Sequence, residues 1–273
     1  MIKLLVSDMD GTLTYDDEAT EAFHIMTARV NQKNRDAISE LIENDIVFAV
    51  ATGRLLKDVG SNFPEEELDF HVISQNGSYT YGLKGEVLRQ DTYSEKQIKE
   101  VVDYLHKEGL NFICSVKDCY YRFVYDKDNV DFETKVSEFT KYVHNVEELY
   151  GLEICTITAL GHGYEELNEI YEKIIRDLPN DLNIGITGPT TIDINMKHIT
   201  KGNAVLQLAE LLGIKKEEVA VIGDSFNDLS MFEMFEESYV MSHGNTEVKK
   251  HAKYEVDVFY QCVDKILAMK KKS

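Results

Sequence analysis

Hydrophobic and polar positions near both ends of the chain follow the pattern of strands that alternate with helices. Short apolar runs predict buried strands over Ile2–Val6, Ile46–Ala51, His71–Ser74 and Val219–Ile222. Apolar residues at helical spacing predict a helix over residues 30–43 that ends in a left-handed turn at Asn44. Later, Val205 and Leu208 mark a helix that Gly213 closes. This alternation indicates a parallel sheet with helices on both faces.

The middle of the chain has a different pattern. Helical periodicity covers residues 95–108 and 165–178. Aromatic, strand-like segments separate these helices, namely Asn111–Val116, Tyr120–Tyr125 and Ile154–Ala159. We therefore predict an α/β protein with a Rossmann-like, parallel-sheet core of residues 1–83 and 193–273. An α+β domain is inserted into this core at residues 84–192.

Strand alternation divides one inserted segment into two faces. Tyr120 and Arg122 lie on one face, and Tyr121 and Phe123 lie on the other. One face belongs to a hydrophobic core, and the sequence pattern does not say which. The polar side chains are candidate ligand contacts.

The amino-acid composition narrows the classes of protein to which this chain can belong. The 273 residues carry 29 basic and 49 acidic side chains, a net charge of −20, which argues against nucleic-acid and anionic-membrane partners. The four cysteines lack paired or zinc-like spacing, which is typical of free thiols in a reducing compartment. No apolar run is long enough to span a membrane, and the N-terminus lacks a signal-peptide pattern. A cytoplasmic protein is expected.

Polar motifs follow the predicted strands, where ligands bind in open α/β sheets. After the first strand, Asp8 and Asp10 suit a divalent cation or divided nucleophile and acid/base roles, and Gly11 lets amides approach an anion. A solvated loop corner would show the same residues. After the second strand, Thr52 and Gly53 suit an anion site at a helix N-terminus, or a simple helix cap.

Two further motifs lie in the C-terminal part. Lys201 begins a helix, where its charge opposes the helix dipole unless a phosphate or carboxylates offset it. A surface lysine is the plainer interpretation. Asp224 and Asp228 follow the last predicted strand and suit Mg²⁺, although a capping turn before a helix over residues 228–234 has similar residues.

Together, in this order at the strand ends, these motifs resemble those of the haloacid dehalogenase (HAD) superfamily. The long insert after the second motif is similar to that of the Cof-type sugar-phosphatase branch. Residues 74–77, Ser-Gln-Asn-Gly, and residues 241–245, Met-Ser-His-Gly-Asn, support the resemblance. It covers about residues 1–82 and 193–260.

The resemblance implies roles for individual residues. Asp8 would be the nucleophile that forms an aspartyl-phosphate, and Asp10 would protonate the leaving alcohol and then activate water. Mg²⁺ would be held by Asp8, the main-chain carbonyl of Asp10 and Asp224, with Asp228 orienting the residues around the metal. The implied contacts to the phosphoryl group or its substrate are Gly11, Thr12, Thr52, Gly53, Lys201, Asn227 and, more loosely, Arg54.

The implied activity is Mg²⁺-dependent hydrolysis of a small phosphorylated metabolite, expected to be a sugar phosphate. The insert would act as the cap that selects the leaving group. A phosphomutase of the same superfamily and a non-catalytic phosphate-binding regulator remain alternatives. The segment of residues 13–30 is longer than the family pattern and adjoins the catalytic loop. Flavin and pyridoxal phosphates are also compatible substrates, and the oligomeric state stays open.

Overall fold

The computed structural model describes residues 1–16, 29–63, 69–125, 137–188 and 190–271. Most of the long segment 13–30 therefore lies outside the described residues. The chain divides into two compact units, one of Met1–Arg89 with Thr200–Ser273 and one of Gln90–Ile199. In the described part of the chain, no helix is long and apolar enough to cross a membrane.

The unit boundaries differ by several residues from those expected at 83/84 and 192/193. At the first boundary, the strand Val87–Gln90 joins the sheet of the first unit. At the second, the strand Thr191–Met196 pairs along its length with strands of the second unit. Pairing partners far along the chain decide both assignments, and local apolar patterns do not reveal them.

The first unit contains an eight-stranded sheet among its described residues, in the order β14-β13-β12-β1-β2-β3-β4-β5. Its strands are β1 (Leu4–Ser7), β2 (Val47–Ala51), β3 (His71–Ser74), β4 (Tyr79–Tyr81), β5 (Val87–Gln90), β12 (Val219–Gly223), β13 (Glu237–Met241) and β14 (Tyr254–Val256). The six strands from β14 to β3 are parallel, and β4 is antiparallel to β3. The predicted parallel α/β core is confirmed.

Helices cover both faces of this sheet. They are α1 (Gln32–Glu43), α2 (Leu56–Gly60), α5 (Lys201–Leu211), α6 (Leu229–Met234), α7 (Thr246–Lys249) and α8 (Phe259–Lys270). On one face, Leu4 and Val6 belong to the same buried cluster as Leu208 of α5. On the other face, the ring of Phe48 lies 5.5 Å from that of Phe70 and 5.9 Å from that of Phe259 in α8.

The end of α1 corrects one expectation. Asn44 has φ −97° and is not left-handed, whereas the next residue, Asp45, has φ +57°. The amides of Asn44 and Asp45 still bond to carbonyls of the last helical turn. The turn therefore forms one residue later than predicted, at a residue type that tolerates a left-handed conformation.

The second unit contains a six-stranded, mostly antiparallel sheet in the order β10-β11-β9-β6-β7-β8 among its described residues. The strands are β6 (Asn111–Val116), β7 (Cys119–Phe123), β8 (Thr140–Val143), β9 (Thr156–Leu160), β10 (Leu182–Gly188) and β11 (Thr191–Met196). Its helices are α3 (Glu95–Lys107) and α4 (Tyr164–Asp177). The predicted α+β insert is confirmed.

The two faces of this second sheet are now distinguished. Phe123 and, at the edge, Tyr121 pack with the hydrophobic cluster that includes Val102 of α3 and Leu167 of α4. Tyr120 and Arg122 are buried but lie outside that cluster. The face with Tyr120 and Arg122 is therefore not the hydrophobic core of this unit.

Candidate active site

The loop after β1 brings a carboxylate to the carboxyl end of the central strand. Asp8 is buried, and its amide donates to the carbonyl of Ile222 on β12, 2.8 Å away. Gly11 has φ +82°, and a Cβ there would lie 2.7 Å from Oδ2 of Asp224. The hydroxyl of Thr12 donates to Oδ1 of Asp224 at 3.1 Å. Gly11 thus lets the loop turn tightly against Asp224.

Lys201 is buried between two carboxylates. Its Nζ lies 2.5 Å from Oδ1 of Asp8 and 2.7 Å from Oδ1 of Asp228, and its side chain is fully buried. The interpretation of Lys201 as a surface lysine is therefore wrong. Burial alone would lower the pKa of Lys201, but Asp228 and Asp8 outweigh it and raise that pKa above its usual value. The charge at the start of α5 is offset by carboxylates.

A tight turn after β12 supplies the other two carboxylates. Oδ2 of Asp228 accepts from the amides of Asp224 and Ser225, each at 3.0 Å. The capping interpretation of this motif is thus correct for one oxygen of Asp228, while its other oxygen binds Lys201. A Cβ at Gly223 would lie 2.4 Å from Oδ2 of Asp228, so only glycine allows this approach.

These residues form a group with excess negative charge. Carboxylate oxygens of Asp8, Asp224 and Asp228 lie within 4.8 Å of one another, around the single ammonium of Lys201. Burial raises the pKa of Asp8 well above its usual value, with a contribution from Asp228 and against the effect of Lys201. Burial and Asp228 raise the pKa of Asp224 to about 7. The group therefore has one positive charge against three carboxylates.

This donor set fits a divalent metal ion. Mg²⁺ prefers hard oxygen ligands, usually one or two carboxylates, and keeps several water molecules. Both oxygens of Asp228 already have protein partners, so Asp8 and Asp224 are the better candidates for direct ligands. A bound cation would also supply the missing charge.

An ion pair joins the loop after β2 to the loop after β1. Arg54 donates to Asp10 through Nε at 2.9 Å and through Nη2 at 2.5 Å. The hydroxyl of Thr52 accepts from the amide of Arg54 at 3.2 Å. Because α2 begins only at Leu56, with Leu55 as its N-cap, Thr52 is not a helix cap and Gly53 is not at a helix N-terminus.

The loop after β3 connects the loop after β2 to the turn after β12. The amide of Asn76 donates to the carbonyl of Thr52 at 2.9 Å, and its side chain accepts from Nδ2 of Asn227 at 3.3 Å. Asn76 adopts φ +56°, and a Cβ at Gly53 would lie 3.4 Å from its Oδ1. Asn227, expected to support Lys201 or the phosphate, thus bonds Asn76 and also accepts from the hydroxyl of Ser225.

A fifth loop, after β13, contacts the loop after β1 directly. Nε2 of His243 donates to the carbonyl of Gly11 at 2.8 Å, and its ring stacks on that of Tyr15 with 3.9 Å between centroids. The amide of Asn245 donates to the carbonyl of Asp224 at 3.0 Å. A Cβ at Gly244 would lie 2.8 Å from that same carbonyl. The sequence offered residues 241–245 only as a supporting match and gave His243 no role.

The structure thus brings the predicted residues to one edge of the sheet, linked loop to loop. Asp8, Lys201, Asp224 and Asp228 form the buried group, with Gly11 and Thr12 against Asp224. Asp10, Thr52, Gly53, Arg54 and Asn227 surround it through the contacts described. The roles that the resemblance implies for them remain predictions.

Comparison with known proteins places the chain in a family. Residues 5–260 match the model of the haloacid dehalogenase-like hydrolases. The chain belongs to this family. The resemblance stated from the motifs is therefore confirmed.

Similar proteins are phosphatases. The 5-amino-6-(5-phospho-D-ribitylamino)uracil phosphatase YcsE of Bacillus subtilis is 25% identical, over 94% of this chain and 90% of that protein. The Escherichia coli phosphatase YbjI, named for the same compound, is 26% identical over 93% and 90%. A solved HAD subclass IIB sugar phosphatase shares the fold, with a TM-score of 0.77 and 22% identity over 97% of this chain and 98% of its own. The expected class, a HAD-type phosphoric monoester hydrolase, agrees with the family and with these relatives.

Proposed function

We propose that this chain is a Mg²⁺-dependent phosphatase that hydrolyses a small phosphorylated metabolite through an aspartyl-phosphate. The observation that carries the proposal is the buried contact of 2.5 Å between Lys201 and Asp8, within a group that Asp224 and Asp228 complete. An anionic carboxylate approaches an anionic phosphate only where cations offset the charge of both. In a chain of net charge −20, Lys201 and a cation bound by these carboxylates would concentrate the required positive charge locally.

The metal would be held by Asp8, Asp224 and the main-chain carbonyl of Asp10, with Asp228 fixing the turn that carries Asp224. Bound there, Mg²⁺ supplies positive charge to the phosphoryl oxygens. Lys201 favours the ionised form of Asp8, orients its carboxylate and adds a second positive charge. Thr52 and the amide of Gly53 are the proposed donors to the phosphoryl oxygens.

The chemistry takes place in two steps. An oxygen of Asp8 attacks phosphorus while the bond to the ester oxygen breaks, and Asp10 gives its proton to that oxygen, which leaves as the alcohol. Asp10, now ionised, takes a proton from a water molecule whose oxygen attacks the same phosphorus. The bond from phosphorus to Asp8 breaks, inorganic phosphate leaves, and Asp10 is again protonated.

The proposed leaving group is a sugar or polyol. Two relatives are named for a compound that carries its phosphate on a ribityl chain, which supports a polyhydroxylated substrate. The second unit, Gln90–Ile199, is the proposed cap that selects this alcohol. The proposed partners exclude nucleic acid and membranes, and the proposed location is the cytoplasm, where the four buried free cysteines would stay reduced.

Phosphate release tests the reaction class. Wild type and Asp8→Asn are assayed on a panel of sugar, polyol, flavin and pyridoxal phosphates and an aryl phosphate, with Mg²⁺ and with EDTA. Asp264→Asn, an exposed substitution of the same kind on α8, is the control. We expect metal-dependent release that Asp8→Asn abolishes and Asp264→Asn retains. Release that survives Asp8→Asn unchanged would refute the mechanism.

The same assay separates the alternatives. An isomerised sugar phosphate without free phosphate would indicate a phosphomutase. If no compound of the panel is hydrolysed, binding of beryllofluoride, an analogue of the phosphoryl group, is measured in the presence of Mg²⁺. Tight binding by wild type but not by Asp8→Asn, with no turnover on the panel, would indicate a phosphate-binding regulator.

A further inference from the structure

The loop after β3 holds two consecutive residues in a left-handed conformation. Gln75 has φ +52° and Asn76 has φ +56°, and neither is a glycine. Such residues cost free energy, persist only where the surrounding structure holds them, and cluster at functional sites. The sequence offered residues 74–77 only as a supporting match, and the proposed function gives Gln75 and Asn76 no role. The conformation of this loop therefore needs an explanation.

Contacts at both ends hold the loop in this conformation. Asn76 is 7% exposed, and its Oδ1 accepts from Nδ2 of Asn227 at 3.3 Å. The next residue, Gly77, has φ +109°, and a Cβ there would lie 2.7 Å from the carbonyl oxygen of Thr200, the N-cap of α5. The loop is thus fixed against the turn after β12 and against the start of the helix that Lys201 begins.

The left-handed turn directs two amides back to the loop after β2. The amide of Asn76 donates to the carbonyl of Thr52 at 2.9 Å, and the amide of Gln75 donates to the carbonyl of Arg54 at 3.2 Å. These two carbonyls belong to the residues on either side of Gly53. The loop after β3 therefore fixes the backbone that surrounds Gly53.

The direction of the Thr52 carbonyl determines that of the Gly53 amide. The two groups belong to one peptide unit, which is planar and trans, so the N–H points away from the C=O. Asn76 holds the carbonyl, and the N–H therefore faces away from the loop after β3. Gly53 is exposed, and none of the described residues accepts a hydrogen bond from its amide. That N–H is available to a ligand.

We propose that Asn76 is a positioning residue that directs the N–H of Gly53 toward a phosphoryl oxygen of the substrate. The inference rests on the proposed function, in which this N–H is a donor to the phosphoryl group. Asparagine suits the position because it adopts the left-handed conformation more readily than most side chains do. Its side-chain oxygen also accepts from Asn227, which helps to hold the Asn76 amide against Thr52.

Two variants separate the backbone of Asn76 from its side chain. Asn76→Gly and Asn76→Ala both lose the contact with Asn227, but only glycine adopts a positive φ readily. We expect kcat/KM for p-nitrophenyl phosphate to stay within about threefold of wild type in Asn76→Gly. In Asn76→Ala it should fall about five- to thirtyfold, because a Cβ is disfavoured in this conformation. Equal values for the two variants would overturn the inference.

Asp45→Ala is the matched control for Asn76→Ala. Asp45 is exposed, has φ +57°, and its amide donates to the carbonyl of Ile42 at 3.0 Å. It precedes β2, whereas the site follows the carboxyl end of that strand. Both alanine variants should unfold at a lower temperature than wild type, but Asp45→Ala should leave kcat/KM unchanged. A fall of kcat/KM in both would assign the effect to stability and overturn the inference.

The magnetic resonance of the Gly53 N–H reports on its hydrogen bond without turnover. Wild type and Asn76→Ala with isotope-labelled glycine are compared before and after addition of Mg²⁺ and beryllofluoride. We expect a downfield shift of the Gly53 proton in wild type, because a hydrogen-bonded amide proton is deshielded, and a smaller shift in Asn76→Ala. Beryllofluoride binding to wild type without this shift, or an equal shift in Asn76→Ala, would overturn the inference.

Failure of this inference is distinguishable from failure of the proposed function. Turnover accompanied by any of the overturning results would reject the role of Asn76 and leave the phosphatase activity intact. Binding of beryllofluoride without turnover leaves the decision to the Gly53 resonance alone. If wild type neither releases phosphate nor binds beryllofluoride, the proposed function is rejected, and with it a phosphoryl ligand for the Gly53 amide.

Discussion

Arg54 donates two parallel hydrogen bonds to Asp10, from Nε to Oδ2 and from Nη2 to Oδ1. Both side chains are mostly buried, with 17% and 21% of their area exposed. A planar guanidinium matches a carboxylate in this way and fixes its orientation as well as its charge. The resemblance had assigned Arg54 to the substrate. The contact instead favours a positioning role for Arg54, exerted through Asp10, the proposed acid/base residue.

The first prediction follows from the fork geometry of Arg54. Arg54→Lys keeps the positive charge but loses the paired hydrogen bonds, so Asp10 loses its fixed orientation. We expect kcat to fall at least about tenfold, while KM changes less than about twofold, because proton transfer by a positioned group contributes about 10²–10⁴-fold. Steady-state kinetics with an aryl phosphate measures both constants.

The matched control for this prediction is Arg176→Lys, an exposed arginine that pairs with Asp177 in the second unit. It should leave both constants unchanged. If Arg54→Lys instead raises KM and spares kcat, Arg54 binds the phosphate, as the resemblance implied.

The contact of Arg54 with Asp10 shows which features of the site can be predicted from sequence and which cannot. Asp8, Thr52 and Asp224 each follow a short apolar strand directly, so local pattern and topology together place them at one sheet edge. The partner of Arg54 depends instead on the geometry of two loops far apart in the chain. No local period encodes that geometry, and the same holds for the contact between Asn76 and Asn227.

The strands also divide into those that a local pattern predicts and those that depend on long-range pairing. His71–Ser74 and Asn111–Val116 have strong apolar or aromatic runs, and the structure has strands over the same residues. β10 (Leu182–Gly188) and β11 (Thr191–Met196) were not predicted, because β10 is only half-buried and its residues alternate with glycine and asparagine. Their pairing with one another and with β9 provides the burial that a local pattern lacks.

A second prediction concerns the buried ammonium of Lys201. Lys201→Met keeps the length of the side chain but leaves Asp8 and Asp228 without their cation. Breaking a buried ion pair in this way costs about 3–5 kcal/mol. Urea unfolding in EDTA should show a loss of this size in the free energy of unfolding.

A double-mutant cycle isolates the interaction of Lys201 with Asp228. Asp228→Asn in the Lys201→Met background removes a carboxylate that has lost its partner. The double variant should therefore be more stable than the sum of the single losses, by about 1–3 kcal/mol. Additive losses would mean that Lys201 contributes through packing and not through charge.

A third prediction concerns metal binding and the excess negative charge of Asp8, Asp224 and Asp228. Asp224→Asn removes one negative charge from a group in which burial and Asp228 raise the pKa of Asp224 to about 7. In EDTA at pH 8, where the group is most strongly ionised, this variant should unfold at a higher temperature than wild type. Mg²⁺ should raise the midpoint of wild type but not that of Asp224→Asn, because binding stabilises only the state that binds.

Differential scanning calorimetry with and without Mg²⁺ measures both effects. Asp264→Asn, on the exposed side of α8, is the control and should respond to Mg²⁺ as wild type does. An undiminished Mg²⁺ shift in Asp224→Asn would show that the ion binds elsewhere.

The last prediction concerns His243, which the sequence left without a role. Its hydrogen bond reaches the carbonyl of Gly11, between Asp10 and the Asp224 contact of Thr12. His243→Phe keeps an aromatic ring against Tyr15 but removes the donor. If this bond holds the loop of Asp8 and Asp10 in place, kcat should fall about three- to tenfold, with KM nearly constant, since one lost hydrogen bond is worth about 1 kcal/mol.

His243→Gln decides whether the donor itself matters. Glutamine carries an N–H at a similar distance along its side chain and should restore kcat to within about twofold of wild type. His251→Phe, at an exposed histidine near the end of α7, is the matched control and should not alter kcat. Equal losses in His243→Phe and His243→Gln would show that the ring and its stacking on Tyr15, and not the hydrogen bond to Gly11, hold the loop.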